Sequence, residues 1–391
     1  MKKRIVSLLL VLCFVLSVFA LSSCEKNGEA AETTAAETTA AETTAEETAA
    51  ATTEPPAPVP NAYYSIYDNE QYIKLIGRSR FYKSAAVVDW SASGIEFEFT
   101  GSGDLKVDIE NEGSNSGAVL IAEVDGGKYT LYVEKSDTYR IVSNLPEGTH
   151  HVLIRRQTMV EDGAGGILVA IKGIRMTGRF LPKPANKKYM VAFIGDSITC
   201  GVGLTGNSGL LTYAVDLCTR EGFDYDICSV SGIGVSHSTS KHGGTANTIT
   251  KYYPYFNYYR SETVRYYPAR QADLVIVNLN TNDNNTGATE AQYKEDLKTL
   301  ISEIRAAHGN DVPIVWVVGM MISPSANVNG WLNSVFAELG GESAGLYKVT
   351  VETNTAGGSG HPDQSSHLAV SQALSTYLRL KNLLDLPPLA D

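Results

Sequence analysis

Two hydrophobic patterns divide the chain. Between residues 62 and 182, apolar and polar residues alternate in short runs, as at residues 94–99, 105–109 and 130–133. Alternation with period two is typical of strands with one buried face, and the glycine and asparagine clusters between the runs indicate turns. Several short strands separated by turns predict an all-β sandwich, of jelly-roll type, over residues 62–182.

Beyond residue 185 the apolar runs become nearly continuous and alternate with helical patterns. Residues 189–194, 225–230, 273–279 and 313–319 have the composition of strands that are covered on both faces, which is typical of a parallel sheet. Strands that alternate with helices predict a three-layer α/β/α domain with a mostly parallel sheet over residues 185–391.

Two helices of this second domain can be predicted from their side chains. Thr289 and Gln292 have the spacing of a capping box. The helix that follows carries one apolar stripe, made of Tyr293, Leu297, Leu300, Ile301 and Ile304. The last helix of the chain carries a similar stripe, made of Val370, Leu374, Tyr377 and Leu378.

The beginning of the chain carries an export signal. Basic residues at positions 2–4 precede an apolar run at residues 5–21, as in a secretory signal peptide. Residues 21–24, Leu-Ser-Ser-Cys, resemble a bacterial lipobox, which implies removal of residues 1–23 and lipidation of Cys24. An uncleaved membrane helix is the alternative, but the apolar run is short. The prediction is an extracellular protein, anchored by lipid to the outer face of the bacterial cell membrane.

Residues 24–61 predict a linker. They consist mainly of Ala, Glu, Thr and Pro and contain no aromatic residue. Such a segment cannot bury enough apolar surface to offset the entropy lost on ordering, so we expect a disordered stalk between the anchor and the folded domains.

Composition and charge limit the function. The 391 residues are 43% hydrophobic and suit two domains, and the net charge of −11 argues against nucleic acid, whose binding needs a basic face. Cys13 leaves with the signal peptide and Cys24 carries the lipid. The other cysteines, Cys200, Cys218 and Cys228, lack the spacing of zinc ligands and are predicted to be small buried hydrophobes. No metal or cofactor is predicted, and the oligomeric state stays open.

The turn after the first strand of the second domain is the most informative stretch. Gly195, Asp196 and Ser197 follow residues 191–194 directly. Ser197 therefore lies at the carboxyl edge of the sheet, where ligands bind in open α/β folds. A serine in this place is either a helix N-cap or a nucleophile. Gly195 allows the sharp turn, and Asp196 is predicted to accept hydrogen bonds from the turn backbone.

Three later residues favour the nucleophile, because Gly232, Asn282 and His361 all fall near the same sheet edge. Acyl transfer needs a nucleophile, a base and donors for the developing oxyanion. Ser197 is the predicted nucleophile and His361 the predicted base. The N–H of Ser197, the N–H of Gly232 and the side-chain amide of Asn282 form the predicted oxyanion hole. A glycine suits position 232 because the backbone there must approach the substrate closely. Asp283 is predicted to brace the Asn282 loop.

These motifs, in this order, resemble the four blocks of the SGNH/GDSL hydrolase superfamily. Together with the preceding β-sandwich and with residues 231–235 and 314–321, they make residues 62–385 similar to carbohydrate esterase family 2. The resemblance implies a carbohydrate O-acetyl esterase that acts through an acetyl-serine intermediate. Its implied substrate is an acetylated plant polysaccharide such as xylan or glucomannan.

The chain departs from the family pattern in three places, one of which is the loop before His361, where the tryptophan often found in the family is absent. Many SGNH enzymes carry an aspartate three residues before the catalytic histidine, where this chain has Gly358. A backbone carbonyl could orient the imidazole instead, which would give a Ser–His dyad. Asp363 is predicted to point into the first turn of the last helix. Asn280 replaces a usual glycine, which is expected to be a mild change beside the substrate.

Several residues and functions have more than one interpretation. His237 and His242 are predicted to be surface groups, and His367 is predicted to be structural. The tyrosine-rich residues 252–267 either stack on sugar rings or pack against the fold. An esterase acting on another acylated glycan, such as peptidoglycan, is an alternative, and so is a carbohydrate-binding surface protein without catalysis. A lipid substrate is disfavoured because no long apolar lid is evident.

Overall fold

The computed structural model describes residues 59–111, 117–159, 169–256 and 265–389, all within one compact unit, Pro56–Asp391. The predicted signal peptide, Cys24 and all but the last three residues of the linker lie outside the described residues. Among the helices that are described, none is long and apolar enough to cross a membrane.

The N-terminal part is rich in strands, as the period-two pattern predicts. In the described part of residues 62–180, nine strands form one antiparallel sheet with the order β3-β4-β9-β5-β8-β6-β7, while β1 pairs with β9 and β2 with β5. The strands are β1 Ala62–Ser65, β2 Lys74–Ile76, β3 Arg80–Tyr82, β4 Ala85–Val87, β5 Gly94–Asn111, β6 Ala118–Val124, β7 Gly127–Val133, β8 Asp137–Arg156 and β9 Val169–Phe180.

The described strands form one sheet and not two separate sheets, because the long strand β5 pairs along most of its length with both β8 and β9. The register of β5 against β8 and β9 shifts between Gly101 and Lys106. Such irregularities bend strands and increase their twist. The sheet therefore curls around a core that includes Phe97, Val107 and Ile174. The jelly-roll arrangement in particular stays a prediction.

The C-terminal part contains the predicted parallel sheet. Its five described strands have the order β11-β10-β12-β13-β14, and every pair is parallel. They are β10 Met190–Gly195, β11 Asp224–Ser229, β12 Leu274–Asn278, β13 Ile314–Met320 and β14 Leu346–Thr353. The sequence pattern missed β14 because this edge strand alternates buried and exposed residues instead of forming a continuous apolar run.

Helices cover both faces of the parallel sheet. In β10, Val191 and Phe193 pack in one core with α2 and α7, while Ala192 and Ile194 pack in another with α5 and α6. The predicted α/β layers are thus confirmed. The described helices are α1 Ser197–Cys200, α2 Tyr213–Glu221, α3 Ile249–Tyr252, α4 Thr281–Thr286, α5 Glu290–His308, α6 Asn327–Glu338 and α7 Gln364–Leu380.

The two predicted amphipathic helices form as expected. The Thr289 side chain accepts a hydrogen bond from Gln292 N and caps α5. The five residues of the predicted α5 stripe are all buried. In α7, Val370, Leu374 and Leu378 are buried and Tyr377 is partly buried, so this stripe also faces the core.

The described tyrosines of the 252–267 run serve mainly to join the two parts of the fold. The buried Arg78 guanidinium, from the N-terminal part, donates 2.8 Å hydrogen bonds to the carbonyls of Tyr253 and Tyr255. The same guanidinium lies 4.0 Å from the ring centroid of Tyr266. These contacts favour the packing interpretation, although Tyr267 is 74% exposed.

Lys74 is the centre of a buried ionic contact across the same junction. Its Nζ lies 2.8 Å from Asp224 Oδ1 and 3.3 Å from Glu96 Oε2, and the residue is only 5% exposed. Removing one member of a buried ion pair leaves an uncompensated buried charge, which is costly. Such a loss typically costs about 3 to 5 kcal/mol. We expect Lys74→Met to lower the free energy of unfolding by about 3 kcal/mol, because Arg270 still contacts Asp224.

Urea denaturation measures this effect, and Lys188→Met is the matched control. Lys188 pairs with Asp385 at 2.8 Å, but both side chains are largely exposed. Exposed pairs contribute little to stability, so this variant should keep the wild-type midpoint. Equal shifts in the two variants would contradict the prediction for Lys74.

Candidate active site

Ser197 lies at the sharp turn between β10 and α1. Asp196, and not Ser197, caps the helix, because its Oδ1 accepts a 3.0 Å hydrogen bond from Ile198 N. The N-cap interpretation of Ser197 is therefore wrong. A Cβ at Gly195 would lie 2.0 Å from Thr199 Oγ1, so the turn has no space for another residue type. Because Asp196 caps the helix, the Ser197 hydroxyl can bond to a residue outside its own helix.

That partner is His361, whose Nε2 lies 2.8 Å from Ser197 Oγ. His361 Nδ1 lies 3.2 Å from the carbonyl oxygen of Ser359. A carbonyl can only accept, so Nδ1 carries the hydrogen, and Nε2 is free to accept the Ser197 proton. Burial lowers the pKa of His361 below its usual value, so the neutral imidazole is favoured.

Asp363 does not take the place of the missing aspartate. Its side chain caps α7 by accepting a 2.9 Å hydrogen bond from Ser366 N, as predicted. It also accepts hydrogen bonds from the hydroxyls of Ser365 and Ser366. These helix-terminal groups orient its carboxylate toward α7.

The loop of Gly203 packs against His361, a contact that the sequence does not predict. Gly358 N donates a 3.0 Å hydrogen bond to Gly203 O. A Cβ at Gly203 would lie 2.7 Å from the Cβ of His361 and 2.8 Å from Gly358 O. The only sequence signal for this contact is a glycine six residues after Ser197, which does not identify its partner.

The predicted oxyanion donors follow three neighbouring strands of the parallel sheet, β10, β11 and β12. Gly232 follows β11 with a φ of +82°, and a Cβ there would lie 2.7 Å from Thr239 Oγ1, so its conformation and its packing both require glycine. Within the part of the chain that is described, the backbone N–H groups of Ser197 and Gly232 donate to no protein acceptor. Both are therefore available to a ligand.

The third donor is the side-chain amide of Asn282, at the start of α4. Its Nδ2 donates a 2.7 Å hydrogen bond to Ile233 O and lies 3.4 Å from Asp196 Oδ2. The first contact uses one amide hydrogen. The second hydrogen has only a long contact and can be given to a substrate oxygen.

Asp283 joins α4 to the loop after Gly232. Its buried carboxylate accepts hydrogen bonds of 2.8 to 3.0 Å from the backbone N–H groups of Val235, Ser236 and His237. Asp283 therefore connects α4, which carries the Asn282 donor, to the loop that carries the Gly232 donor. The sequence predicts such a brace for the Asn282 loop alone.

Asn280 is almost fully buried, and its side chain bonds within the fold. It has a φ of +88°, which explains why a glycine is usual at this position. Its buried side chain accepts a 2.6 Å hydrogen bond from the Tyr293 hydroxyl and donates a 2.9 Å hydrogen bond to Asn329 Oδ1. Asparagine tolerates this backbone conformation, and its amide links the Asn282 loop to α5 and α6.

Of the remaining histidines near the site, His367 fits its prediction and His242 does not. His367 is buried, its Nδ1 accepts a hydrogen bond from Tyr213 N, and burial lowers its pKa to about 4. His237 is half-buried, with Nδ1 2.7 Å from Thr286 Oγ1. His242 is only 5% exposed and therefore is not a surface group.

Asp196 adds a second titratable group to the site. Burial raises the pKa of its carboxyl to about 7, although Ile198 N donates to it. The described residues hold no cluster of His, Cys, Asp and Glu with the arrangement of metal ligands. Cys200, Cys218 and Cys228 are buried, as predicted, and form no disulfide within the described part of the chain.

Two family matches cover most of the described residues. Residues 193–368 match the GDSL-like Lipase/Acylhydrolase family, and residues 75–184 match the Carbohydrate esterase 2 N-terminal family. The first match includes Ser197, Gly232, Asn282 and His361.

Two curated proteins and a solved structure are similar to the chain. The cellulase/esterase CelE of Acetivibrio thermocellus is 31% identical over 253 residues, which are 60% of this chain and 29% of that protein. The acetylxylan esterase / glucomannan deacetylase of Cellvibrio japonicus is 22% identical over 61% of this chain and 72% of its own. A family two carbohydrate esterase from Clostridium thermocellum, solved in complex with cellohexaose, has a TM-score of 0.68 and 25% identity, and covers 80% of this chain and 100% of that one.

Proposed function

Since this chain is a GDSL-like acylhydrolase with a carbohydrate esterase 2 N-terminal domain, we propose that it is a serine esterase that removes O-acetyl groups from polysaccharides such as xylan and glucomannan. The observation that carries the proposal is the 2.8 Å contact between Ser197 Oγ and His361 Nε2. Beside it, the N–H groups of Ser197 and Gly232 donate to no acceptor among the described residues. A nucleophile, a base and oxyanion donors within one site are the requirements of acyl transfer.

The reaction proceeds in two balanced steps. Ser197 Oγ attacks the acetyl carbonyl while His361 Nε2 takes its proton, and the tetrahedral oxyanion accepts hydrogen bonds from Ser197 N, Gly232 N and Asn282 Nδ2. His361 then gives the proton to the leaving sugar oxygen, and the acetyl group remains on Ser197. A water molecule, deprotonated by His361, attacks the acetyl-serine and releases acetate, and the serine hydroxyl recovers its proton.

In this proposal His361 and Ser197 act as a dyad. The Ser359 carbonyl, 3.2 Å from Nδ1, fixes the tautomer and orients the ring, which is the role of the aspartate in a triad. A carbonyl carries no full charge, so it stabilises the imidazolium less than a carboxylate does. Asp363 cannot compensate, because it caps α7.

An acetylated glycan is the substrate class that fits best. The folded body, residues 62–391, carries a net charge of −7, which disfavours a strongly anionic substrate, whereas acetylated xylan and glucomannan chains are neutral at most positions. One relative is named an acetylxylan esterase / glucomannan deacetylase, and a solved relative holds cellohexaose. The chain spans only 29% of the CelE protein, so the activity of that whole protein is not assigned to this chain.

The proposal also includes the location and the domain limits of the enzyme. Residues 1–23 direct export, lipid on Cys24 anchors the chain to the outer face of the membrane, and residues 24–61 separate the anchor from the enzyme. The N-terminal domain is a jelly-roll over residues 62–182, followed by the esterase domain over residues 185–391.

Acetate release tests the proposal. Wild-type protein and Ser197→Ala are incubated with acetylated xylan, acetylated glucomannan and 4-nitrophenyl acetate. Release from a polysaccharide by wild type alone is expected. If only the small ester is cleaved, the mechanism stands and the substrate is another acylated glycan, such as peptidoglycan. If nothing is cleaved while cellohexaose binds, the protein is a binder and the proposal is wrong.

The pH dependence of kcat/KM provides a further prediction. His361 must be neutral to act as a base, and burial lowers its pKa, so activity should be lost only as the pH falls through a value below the usual 6.5. Asp196, with a pKa of about 7, titrates nearby and can add a second transition. Asn keeps the capping oxygen and removes this charge, so Asp196→Asn should leave one acidic limb with a midpoint below 6.5. A midpoint above 6.5 in that variant would contradict the assignment of His361.

A further inference from the structure

We infer that His242 is a positioning residue that aims the Gly232 N–H into the oxyanion hole. The inference rests on the proposed acyl transfer and adds a residue to it. His242 Nε2 lies 2.7 Å from Ser231 O. Since a carbonyl oxygen only accepts, Nε2 carries the hydrogen and donates it.

The hydrogen bond controls the donor because both groups belong to one peptide unit. The Ser231 carbonyl and the Gly232 N–H lie in the same plane and point in opposite directions across a trans peptide bond. A donor that holds the carbonyl on one side therefore fixes the direction of the N–H on the other side. That N–H has no protein acceptor in the described structure, as an oxyanion donor requires.

Glycine makes this anchor necessary. Gly232 adopts a φ of +82°, and glycine visits positive and negative φ with similar ease. The Ser231–Gly232 peptide could therefore turn over at little cost in backbone energy, which would replace the N–H in the hole with a carbonyl. The His242 hydrogen bond exists only in the productive orientation and opposes this turnover.

The imidazole is itself held in place. A Cβ at Gly232 would lie 3.2 Å from His242 Nε2, so the ring packs directly behind the glycine. The backbone of His242 is fixed on both sides, since its N–H donates to Thr239 O and its carbonyl accepts from Asn247 Nδ2 at 2.8 Å. Thr239 N also donates a 2.9 Å hydrogen bond to Gly232 O, which anchors the next peptide of the loop. A buried, oriented ring therefore holds this peptide from behind.

Kinetics of His242→Phe and His242→Gln test the inference. Phenylalanine keeps a planar ring of similar size but has no donor, whereas the glutamine amide can reach the Ser231 carbonyl. We expect His242→Phe to lower kcat for 4-nitrophenyl acetate by about 10²-fold with KM within about twofold, as for loss of one oxyanion donor. His242→Gln should recover most of this loss. Unchanged kcat in His242→Phe, or no recovery in His242→Gln, would overturn the inference.

Two further variants separate positioning from stability. His308 is also a buried histidine bonded to backbone, with Nδ1 3.1 Å from Ala272 N, so His308→Phe should lower the melting temperature while kcat stays unchanged. If His242→Phe does not fold, the shorter His242→Asn replaces it, because its amide cannot reach the Ser231 carbonyl. Equal kcat in the Asn and Gln variants would then overturn the inference.

Labelling with a fluorophosphonate distinguishes failure of the inference from failure of the proposed function. If wild type neither cleaves the ester nor labels at Ser197, the proposed function is wrong and the role of His242 in it is wrong too. If wild type is active and labels while His242→Phe matches it in both assays, only the inference about His242 is wrong.

Discussion

Ser197→Ala is expected to lower kcat for acetyl ester hydrolysis by about 10⁵- to 10⁶-fold, because the acetyl group then has no nucleophile to receive it. The Ser197 hydroxyl is oriented by His361 Nε2 at 2.8 Å, and no other hydroxyl has this partner in the described site. The residual rate should come from the oxyanion donors acting on water. Single-turnover measurement with 4-nitrophenyl acetate gives the rate, and loss of fluorophosphonate labelling confirms which serine reacts.

His361→Ala and the double variant test whether the two residues act as one unit. If His361 activates Ser197, the loss in His361→Ala should be similar in size, and the double variant should be no slower than either single variant. Multiplicative losses would mean that the residues act separately. The fold should survive, because the half-buried His361 side chain bonds to Ser197 Oγ and to the carbonyl of Ser359, a residue of its own loop. Wild-type unfolding midpoints in all three variants would show that only chemistry has changed.

The elements that form this site are predictable from sequence because their signals are local. The run from Val191 to Ile194 packs against both helical layers, which is why it is apolar throughout. The turn that follows places Ser197 at the sheet edge by the geometry of parallel sheets alone. Thr289 capping and the α5 stripe depend on neighbours three or four residues away, and both were predicted correctly.

The contacts that hold the site in place are not predictable in this way, because their partners are distant in sequence. Gly203 supports His361 across more than 150 residues, and Asn280 bonds to Asn329 on another helix. His242 was assigned to the surface because a loop rich in serine and glycine is polar. In the structure the ring is buried and packs behind Gly232. The polar composition of the loop does not indicate this burial, because the contact depends on how the loop folds back on itself.

The curled N-terminal sheet has a similar explanation. Period-two alternation shows that one face of a strand is buried, but it does not show which sheet the strand joins. In β5, residues before Gly101 and residues after Leu105 alternate equally well, although the register shifts between them. The bend is encoded by the glycines and by the pairing with β8 and β9, and the pairing is set only in the folded chain.

The side-chain amide of Asn282 should contribute strongly to stabilising the oxyanion. Asn282→Ala removes the one donor of the proposed hole that is a side chain, while Ser197 and Gly232 keep theirs. We expect kcat to fall by about 10²- to 10³-fold with KM little changed, because the lost hydrogen bond is needed mainly in the transition state. Steady-state kinetics on 4-nitrophenyl acetate, with Ser197 labelling as a check on the folded site, measures this effect.

Asn284→Ala is the matched control, since Asn284 lies on the same short helix but is exposed and bonds only to Asn285 among the described side chains. It should leave kcat unchanged. Asn282→Ala also removes the 2.7 Å hydrogen bond to Ile233 O, so its stability should fall slightly. If kcat falls only as far as folded protein is lost, the amide is a structural link and not an oxyanion donor. A loss of kcat in fully folded Asn282→Ala, absent from Asn284→Ala, assigns the amide to the transition state.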